Sequence, residues 1–423
     1  MKTSPNPYTG GRPRGINIKK SIRRAFAARI VDPHADGAHP KAPPRIASID
    51  NLRGIAMLLM ALDHVRDFVS LVPYDPTDLS QASAGLFLTR WITHFCAPTF
   101  VFLAGTSAFL YGKNRTATTR DLRHFLLGRG LLLVLFELSW VNLSWRFDFN
   151  GLRLQVVWVL GCSMTALALL LNLPPQVLVG IGLAMVFAHN LADGIGYRDL
   201  GGWGWVWAVL HQPRFEITAN GFELQVLYPL VPWIGVMLLG YAFGRVYDWD
   251  AAPRERFMRR TGLVALALFF TLRLSGLYGD PNPWTPNPRG ALYSVFAVFN
   301  LEKYPPSLDY LLMTLGAVLL LLPALEPWRG RVAQAVAVFG RVPLFFYLLH
   351  LPVVPFTTAI GARVVHLISF AGHGEEQSRA DYGPSLLRVY VVWLILVLAM
   401  YPLCRWYDDY KRRHVDRLWL AYL

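Results

Sequence analysis

The stretch SIDNLRGIAMLLMALDHVRDFV, residues 48–69, is apolar enough to cross a bilayer, yet it carries Asp63 and His64 in its second half and Asp67 one turn further on. An ionisable group inside a membrane segment is costly. It faces a cavity or a bundle interior, and its default reading is functional. The rest of the 423-residue chain fits that setting: 54% of residues are hydrophobic, 16% are charged, and the mean hydropathy is +0.34. Such a composition predicts an all-α fold, a polytopic transmembrane helical bundle. The apolar blocks are too long and continuous for the alternating strands of an outer-membrane barrel. Cys96, Cys162 and Cys404 sit on separate hydrophobic segments with no paired spacing, which argues against a disulfide framework and a thiolate metal site. The net charge of +14 gathers in the N-terminal segment and in short loops between apolar blocks, as membrane topology requires, so no nucleic-acid partner is expected.

Outward from residues 48–69, hydropathy predicts about ten spanning helices, near 48–69, 85–111, 122–141, 154–172, 175–191, 227–246, 260–278, 307–324, 337–357 and 385–404. Basic residues mark the cytoplasmic side: Lys19, Lys20, Arg23, Arg24, Arg29, Lys41 and Arg45 precede the first helix, and Lys113, Arg115, Arg254, Arg256, Arg329 and Arg331 lie in alternate loops. Both termini are therefore expected inside. The chain divides into a basic tail, 1–44, disordered or amphipathic, a transmembrane domain, 45–404, and a cytoplasmic C-terminal tail, 405–423. SIRRAFAARIV in the first tail resembles a twin-arginine export signal, but the following DPHADGAHPKAPPR is polar where such a signal needs an apolar run.

On this topology His64 lies about 24 Å up the first helix, in the outer third. His94 on the second helix and His350 near the outer end of the ninth share that depth. Asp63 and Asp67 are spaced to share a face of the first helix, and a carboxylate near an imidazole suits a general base. The bland alternatives are histidines that hydrogen-bond neighbouring helices, and aspartates paired with Arg66 or Arg90. Asp50 and Arg53, at the other end, read as a local ion pair, with a phosphate-binding role for Arg53 as the second reading.

RIASIDNLRGIAMLLMALDHV with FCAPTFVFLAGTSAFL, then LYPLVPWIGVMLLGYAFG, EKYPPSLDYLLMTLG and FGRVPLFFYLLHLP resemble the bacterial branch of the integral membrane family that includes heparan-alpha-glucosaminide N-acetyltransferase. The matching blocks cover residues 45–112, 227–246 and 302–354. The resemblance implies transmembrane acyl transfer: cytosolic acetyl-CoA as co-substrate, an amine or hydroxyl of a glycan or small molecule at the outer face as acceptor, and a multi-pass location in a bacterial inner membrane. A homodimer is compatible with it. Matched by eye, His64 stands opposite an asparagine of the lysosomal enzyme, and the loop LVPYDPTDLSQASAG lacks the histidine implicated there. The residue roles are therefore assigned from this chain alone.

Acyl transfer needs a base for the acceptor's proton and a positive or hydrogen-bonding group at the developing oxyanion. His64 is the expected base, with His350, His94, Asp63 and Asp67 around it. Arg53, Arg245 and Arg341 are the candidates for the donor's phosphates, although the positive-inside rule explains each equally. Lys303, Glu302 and Tyr304 are the candidates for the acceptor. Trp203, Trp205 and Trp207 read first as an interfacial belt. HGEE, with His373, Glu375 and Glu376, lacks a second histidine at helical spacing and reads as a solvated loop, so no metal is expected. The alternative function is a proton-coupled transporter using the same His/Asp cluster, against which the chain shows no duplicated halves.

Overall fold

The computed structural model describes residues 45–422 except 71, 149, 213–214, 220, 370–384 and 416, and only the backbone of 219, 357–369 and 418. The tail 1–44 with its twin-arginine-like stretch, and His373, Glu375 and Glu376, lie outside the described residues.

α1 (Ala47–Val69) is the hub of the bundle. It packs on α2 (Ala84–Thr93), α3 (Cys96–Asn114), α12 (Leu308–Leu325), α13 (Arg331–Arg341), α14 (Pro343–Ser369) and α15 (Leu386–Arg413). The polar residues quoted above therefore face protein rather than lipid, as their desolvation cost demands. Small residues let backbones meet. A Cβ on Gly340 of α13 would lie 1.8 Å from the Asp50 carbonyl oxygen, and one on Gly54 of α1 would lie 2.1 Å from that of Val336. Close approach of this kind is what drives helix association in lipid, where apolar burial gives little. The remaining long helices are α4 (Thr119–Phe136), α6 (Val156–Leu170), α7 (Pro175–Ala188), α9 (Leu230–Phe243) and α10 (Ala251–Ser275), with α4 against α6, α9 against α3 and α7, and α10 against α12.

Helices cover every segment expected from hydropathy, but among the described residues six are long and apolar enough to cross a membrane, or seven if one bent pair counts as a span. The shortfall has identifiable causes. α1 and α10 carry too much charge, the latter in Arg254, Glu255, Arg256, Arg259 and Arg260, and α6 is only 15 residues long. The helix expected at 337–357 is two, α13 and α14, bent by 84°. Pro343 disfavours the helical region for the residue before it, and Val342 adopts φ −127°, ψ 48°.

The all-α expectation also needs amendment, because a three-stranded sheet lies between α5 (Asn142–Arg146) and α9. β1 (Gly151–Leu154) pairs parallel with β3 (Phe222–Val226), and β2 (Phe215–Ala219) pairs antiparallel with β3. The stretch between the helices expected at 175–191 and 227–246 thus holds α8 (Gly204–Leu210) and a hairpin.

Candidate functional site

Near the C-terminal end of α1 a cavity of about 420 Å³ opens between helices and loops. Its wall includes Asp63, His64 and Asp67 from α1, Arg90 and Thr93 from α2, Trp145 from α5, Arg153 from β1, and Tyr228, Lys303, Tyr304 and Tyr347.

His64 and His350 meet there: His64 Nδ1 is 2.8 Å from His350 Nε2, with the rings parallel within 3°. The other nitrogen of His350, Nδ1, lies 2.8 Å from the Phe346 carbonyl oxygen. A carbonyl only accepts, so His350 Nδ1 carries a proton. In the neutral ring its Nε2 is then an acceptor. His64 Nδ1–H must donate to it, which leaves His64 Nε2 with a lone pair and no hydrogen bond among the described residues. Trp145 packs edge-on to His64 at 5.1 Å and Tyr347 at 6.0 Å, limiting rotation of the ring. The result is a buried imidazole, His350, that fixes the tautomer of a second imidazole on the cavity wall, the arrangement expected of an oriented general base.

α14 is held in place by its own irregularity. Pro352 has no N–H for the Leu348 carbonyl, and the Trp140 indole N–H donates to that oxygen instead at 2.8 Å. Trp140 lies in a π-helical turn, Glu137–Val141, between α4 and α5. The same turn aims Glu137, fully buried, at the start of α6, where its carboxylate accepts the backbone N–H groups of Gln155 and Trp158, each at 3.1 Å. A carboxylate at a helix N-terminus satisfies orphan donors and opposes the helix dipole. Glu137 thereby sets the wall segment from Arg153 to Val156.

The aspartates are committed to partners. Asp63 accepts from Arg90 at 2.6 and 2.9 Å and from the Thr93 hydroxyl at 2.8 Å, and it pairs with Arg66 at 2.9 Å. Asp67 pairs with Arg66 at 2.5 Å. Asp63 thus pins α1 to α2, with an acceptor capacity already filled. His94 is not brought into the histidine pair: it is 3% exposed, lines no part of the cavity, and its backbone carbonyl accepts from the Tyr310 hydroxyl at 2.6 Å.

Of the loop candidates, Lys303 and Tyr304 face the cavity and Glu302 supports them. The Glu302 carboxylate accepts the backbone N–H groups of Lys303 (3.2 Å) and Tyr304 (3.0 Å). Asp280 accepts Glu302 N–H at 2.9 Å and the Ser307 hydroxyl at 2.6 Å, bracing the loop from below. Lys303 Nζ sits 5.1 Å from the Tyr304 ring centroid. Burial opposes ionisation of the Tyr304 phenol, but the Lys303 and Arg90 cations outweigh it and hold its pKa below the ordinary phenol value.

At the other end of α1, Arg53 donates to the Gly340 carbonyl at 3.0 Å and to Ser107 at 2.7 Å, and lies 3.5 Å from Asp50. Arg341 pairs with buried Asp408 at 2.7 Å, where Arg412 (3.1 Å) and Arg45 (3.9 Å) also converge. Arg245 stands apart on an exposed turn, 5.8 Å from the Phe109 ring centroid. Residues that sequence reasoning did not place in the site are Trp145, Arg153, Tyr228, Tyr347 and the supporting Glu137. Only Glu137, a lone acid in the apolar run LLLVLFELSW, carried a visible signal.

None of the curated proteins compared with this chain matches it. The family model described as heparan-alpha-glucosaminide N-acetyltransferase, catalytic, matches residues 45–273, just over half of the 423 residues. That span contains His64, Asp63, Arg90, Trp145 and Arg153, and ends before the 302–307 loop and His350.

Proposed function

Given that the chain belongs to the heparan-alpha-glucosaminide N-acetyltransferase catalytic family, we propose that this multi-pass membrane protein transfers an acyl group, acetyl by family, from cytosolic acyl-CoA to an amine or hydroxyl acceptor held in the 420 Å³ cavity at the outer face. The observation that carries the reading is the His64–His350 pair at 2.8 Å on the cavity wall. Family membership is what weighs against the transporter alternative, which no geometry among the described residues favours.

The chemistry follows from the donor and acceptor atoms. His64 Nε2 takes the acceptor's proton as its nitrogen or oxygen attacks the thioester carbonyl. The resulting oxyanion lies among cationic wall groups, of which Lys303 and Arg153 are the candidates to stabilise it. Collapse breaks the carbon–sulfur bond, coenzyme A leaves as thiolate, and the imidazolium returns its proton to that sulfur or to solvent. His350 positions His64 throughout. The aromatic faces of Trp145, Tyr228 and Phe68 suit a sugar ring or a related acceptor.

Donor phosphates would sit at the opposite end, near Arg53 and Arg341, with Arg45 added. From Arg53 to His64 is about 16 Å along the helix axis, so a donor anchored by its phosphates must extend its thioester arm along α1. The test is release of coenzyme A from labelled acetyl-CoA by purified protein in nanodiscs, with an envelope extract as acceptor source. Release by wild type that disappears in a folded His64→Ala variant supports the reading. Wild-type protein that is folded yet neither binds acetyl-CoA nor releases coenzyme A refutes it.

A further inference from the structure

Away from the cavity wall, a second group of ionisable side chains has no part in acyl transfer. His189 opens the single 3-10 turn His189–Ala192 that follows α7, Asp193 comes next, and His211 closes α8. One donor atom from each can be chosen so that all lie within 4.8 Å of one another. His211 Nε2 is 3.0 Å from Asp193 Oδ1, and the two imidazole rings stand 5.5 Å apart at 71°. His189 is 5% exposed and His211 1% exposed.

What needs explanation is the missing partners. Among the described residues neither ring nitrogen of His189 has a hydrogen-bond partner, nor does Nδ1 of His211, although all three atoms are buried. A neutral imidazole carries one donor and one acceptor, and burying them unpaired is destabilising. A hydrogen-bonded packing arrangement accounts for the Asp193–His211 contact but leaves His189 aimed into the cluster with nothing to bind. A cation satisfies all three groups together.

We propose that His189, Asp193 and His211 form a binding site for a divalent transition-metal ion, with zinc the best fit to two imidazoles and one carboxylate. Tetrahedral zinc places ligand atoms about 3.4 Å apart. The Asp193–His211 pair at 3.0 Å is already near that spacing, and at most about 1.4 Å of closure brings in the widest pair. The expectation of no metal rested on HGEE; His189 and His211 are far apart in the chain, and the residues between them show no ligand spacing. Supporting contacts are present. Asn190 donates to the second oxygen of Asp193 at 2.8 Å, and its own carbonyl oxygen accepts the Leu308 N–H at 2.9 Å. Such outer contacts orient ligands and conserve site geometry. They also tie the cluster to the first turn of α12, immediately after the loop that carries Lys303 and Tyr304. The ion is structural, fastening the segment from α7 to α8 onto the start of α12.

The experiment uses untagged full-length protein in nanodiscs, stripped with chelator and titrated with Zn²⁺ alone and with Co²⁺ alone. Wild type should bind one equivalent, show the visible absorption of low-symmetry cobalt, and gain thermal stability with zinc. His189→Ala and His211→Ala should each weaken binding at least 10–100-fold, while the exposed control His124→Ala should leave it unchanged. Absence of stoichiometric binding by folded wild type, or zinc affinity undiminished in folded His189→Ala, overturns the proposal. Should the alanine variants not fold, the wild-type cobalt spectrum decides: bands of an imidazole-bound ion support the site and their absence refutes it.

Discussion

Replacing His350 with alanine removes the acceptor of the His64 Nδ1–H while leaving the proposed base itself intact. In the native pair that proton is held at 2.8 Å and the ring is fixed against Trp145. Without His350 the N–H faces a buried, apolar gap, a loss of about 1–3 kcal/mol for an orphaned buried donor. His64 can avoid it by flipping or by moving its proton to Nε2, and either response takes the lone pair away from the cavity. At 1.4 kcal/mol per factor of ten, the active orientation falls by about 5- to 150-fold, and kcat should fall with it. His64→Ala removes the base outright and should cost about 10²–10⁴-fold. Since His350 acts only through His64, the double variant should be no slower than His64→Ala alone. His350→Gln, whose amide oxygen can accept the Nδ1 proton, should recover part of the lost rate. Coenzyme A release measured for all four variants and wild type in nanodiscs decides the matter. A fully active His350→Ala, or a double variant slower by the product of the single effects, would refute the relay.

Glu137→Ala should leave the Gln155 and Trp158 N–H groups without an acceptor at about 1–3 kcal/mol each, read as a clear fall in melting temperature; an unchanged transition would show that the capping role is wrong. Gly340→Val places a side chain where the Asp50 carbonyl oxygen already lies 1.8 Å away and should prevent a monodisperse protein, whereas Gly180→Ala, with nothing within 4 Å, should behave as wild type in size-exclusion chromatography. The Tyr304 phenol, with its folded pKa lowered, should ionise below the ordinary phenol value in an ultraviolet titration, and Tyr304→Phe should delete that step. Because the folded pKa is the lower one, the associated stability is present above the unfolded value of about 10 and disappears as pH falls through the folded value.

Much of this site was legible because depth along a helix can be counted from sequence. His64 and His350 were expected at one level, and they touch. The same count put His94 beside them, but rotation about the helix axis depends on packing, and the break between α2 and α3 turns His94 toward Tyr310. The competition between a catalytic Asp63 and an ion pair was visible from the start; Arg90 and Thr93 occupy its carboxylate in the folded protein. The bend at Val342 was signalled by the proline after it, yet the apolar run continued across and hid the break. The hairpin had its signal too, Asn-Gly between FEITA and FELQV, but hydropathy marks only long apolar runs and passes over so short a pair of strands. Arg153 and Trp145 could not have been placed, because a π-helical turn and a short parallel strand bring them to the wall.

The contact of α1 with α13 has a consequence for permeability. Gly54 and Gly340 bring the two backbones together so closely that a Cβ at either glycine would overlap the facing peptide carbonyl. A charged hollow within a membrane protein is a hazard to the ion gradients on either side of it, since a continuous file of water through it would carry protons across. Along this seam the peptide groups themselves are the insulation, and a larger residue at either glycine threatens the electrical tightness of the membrane as well as the fold.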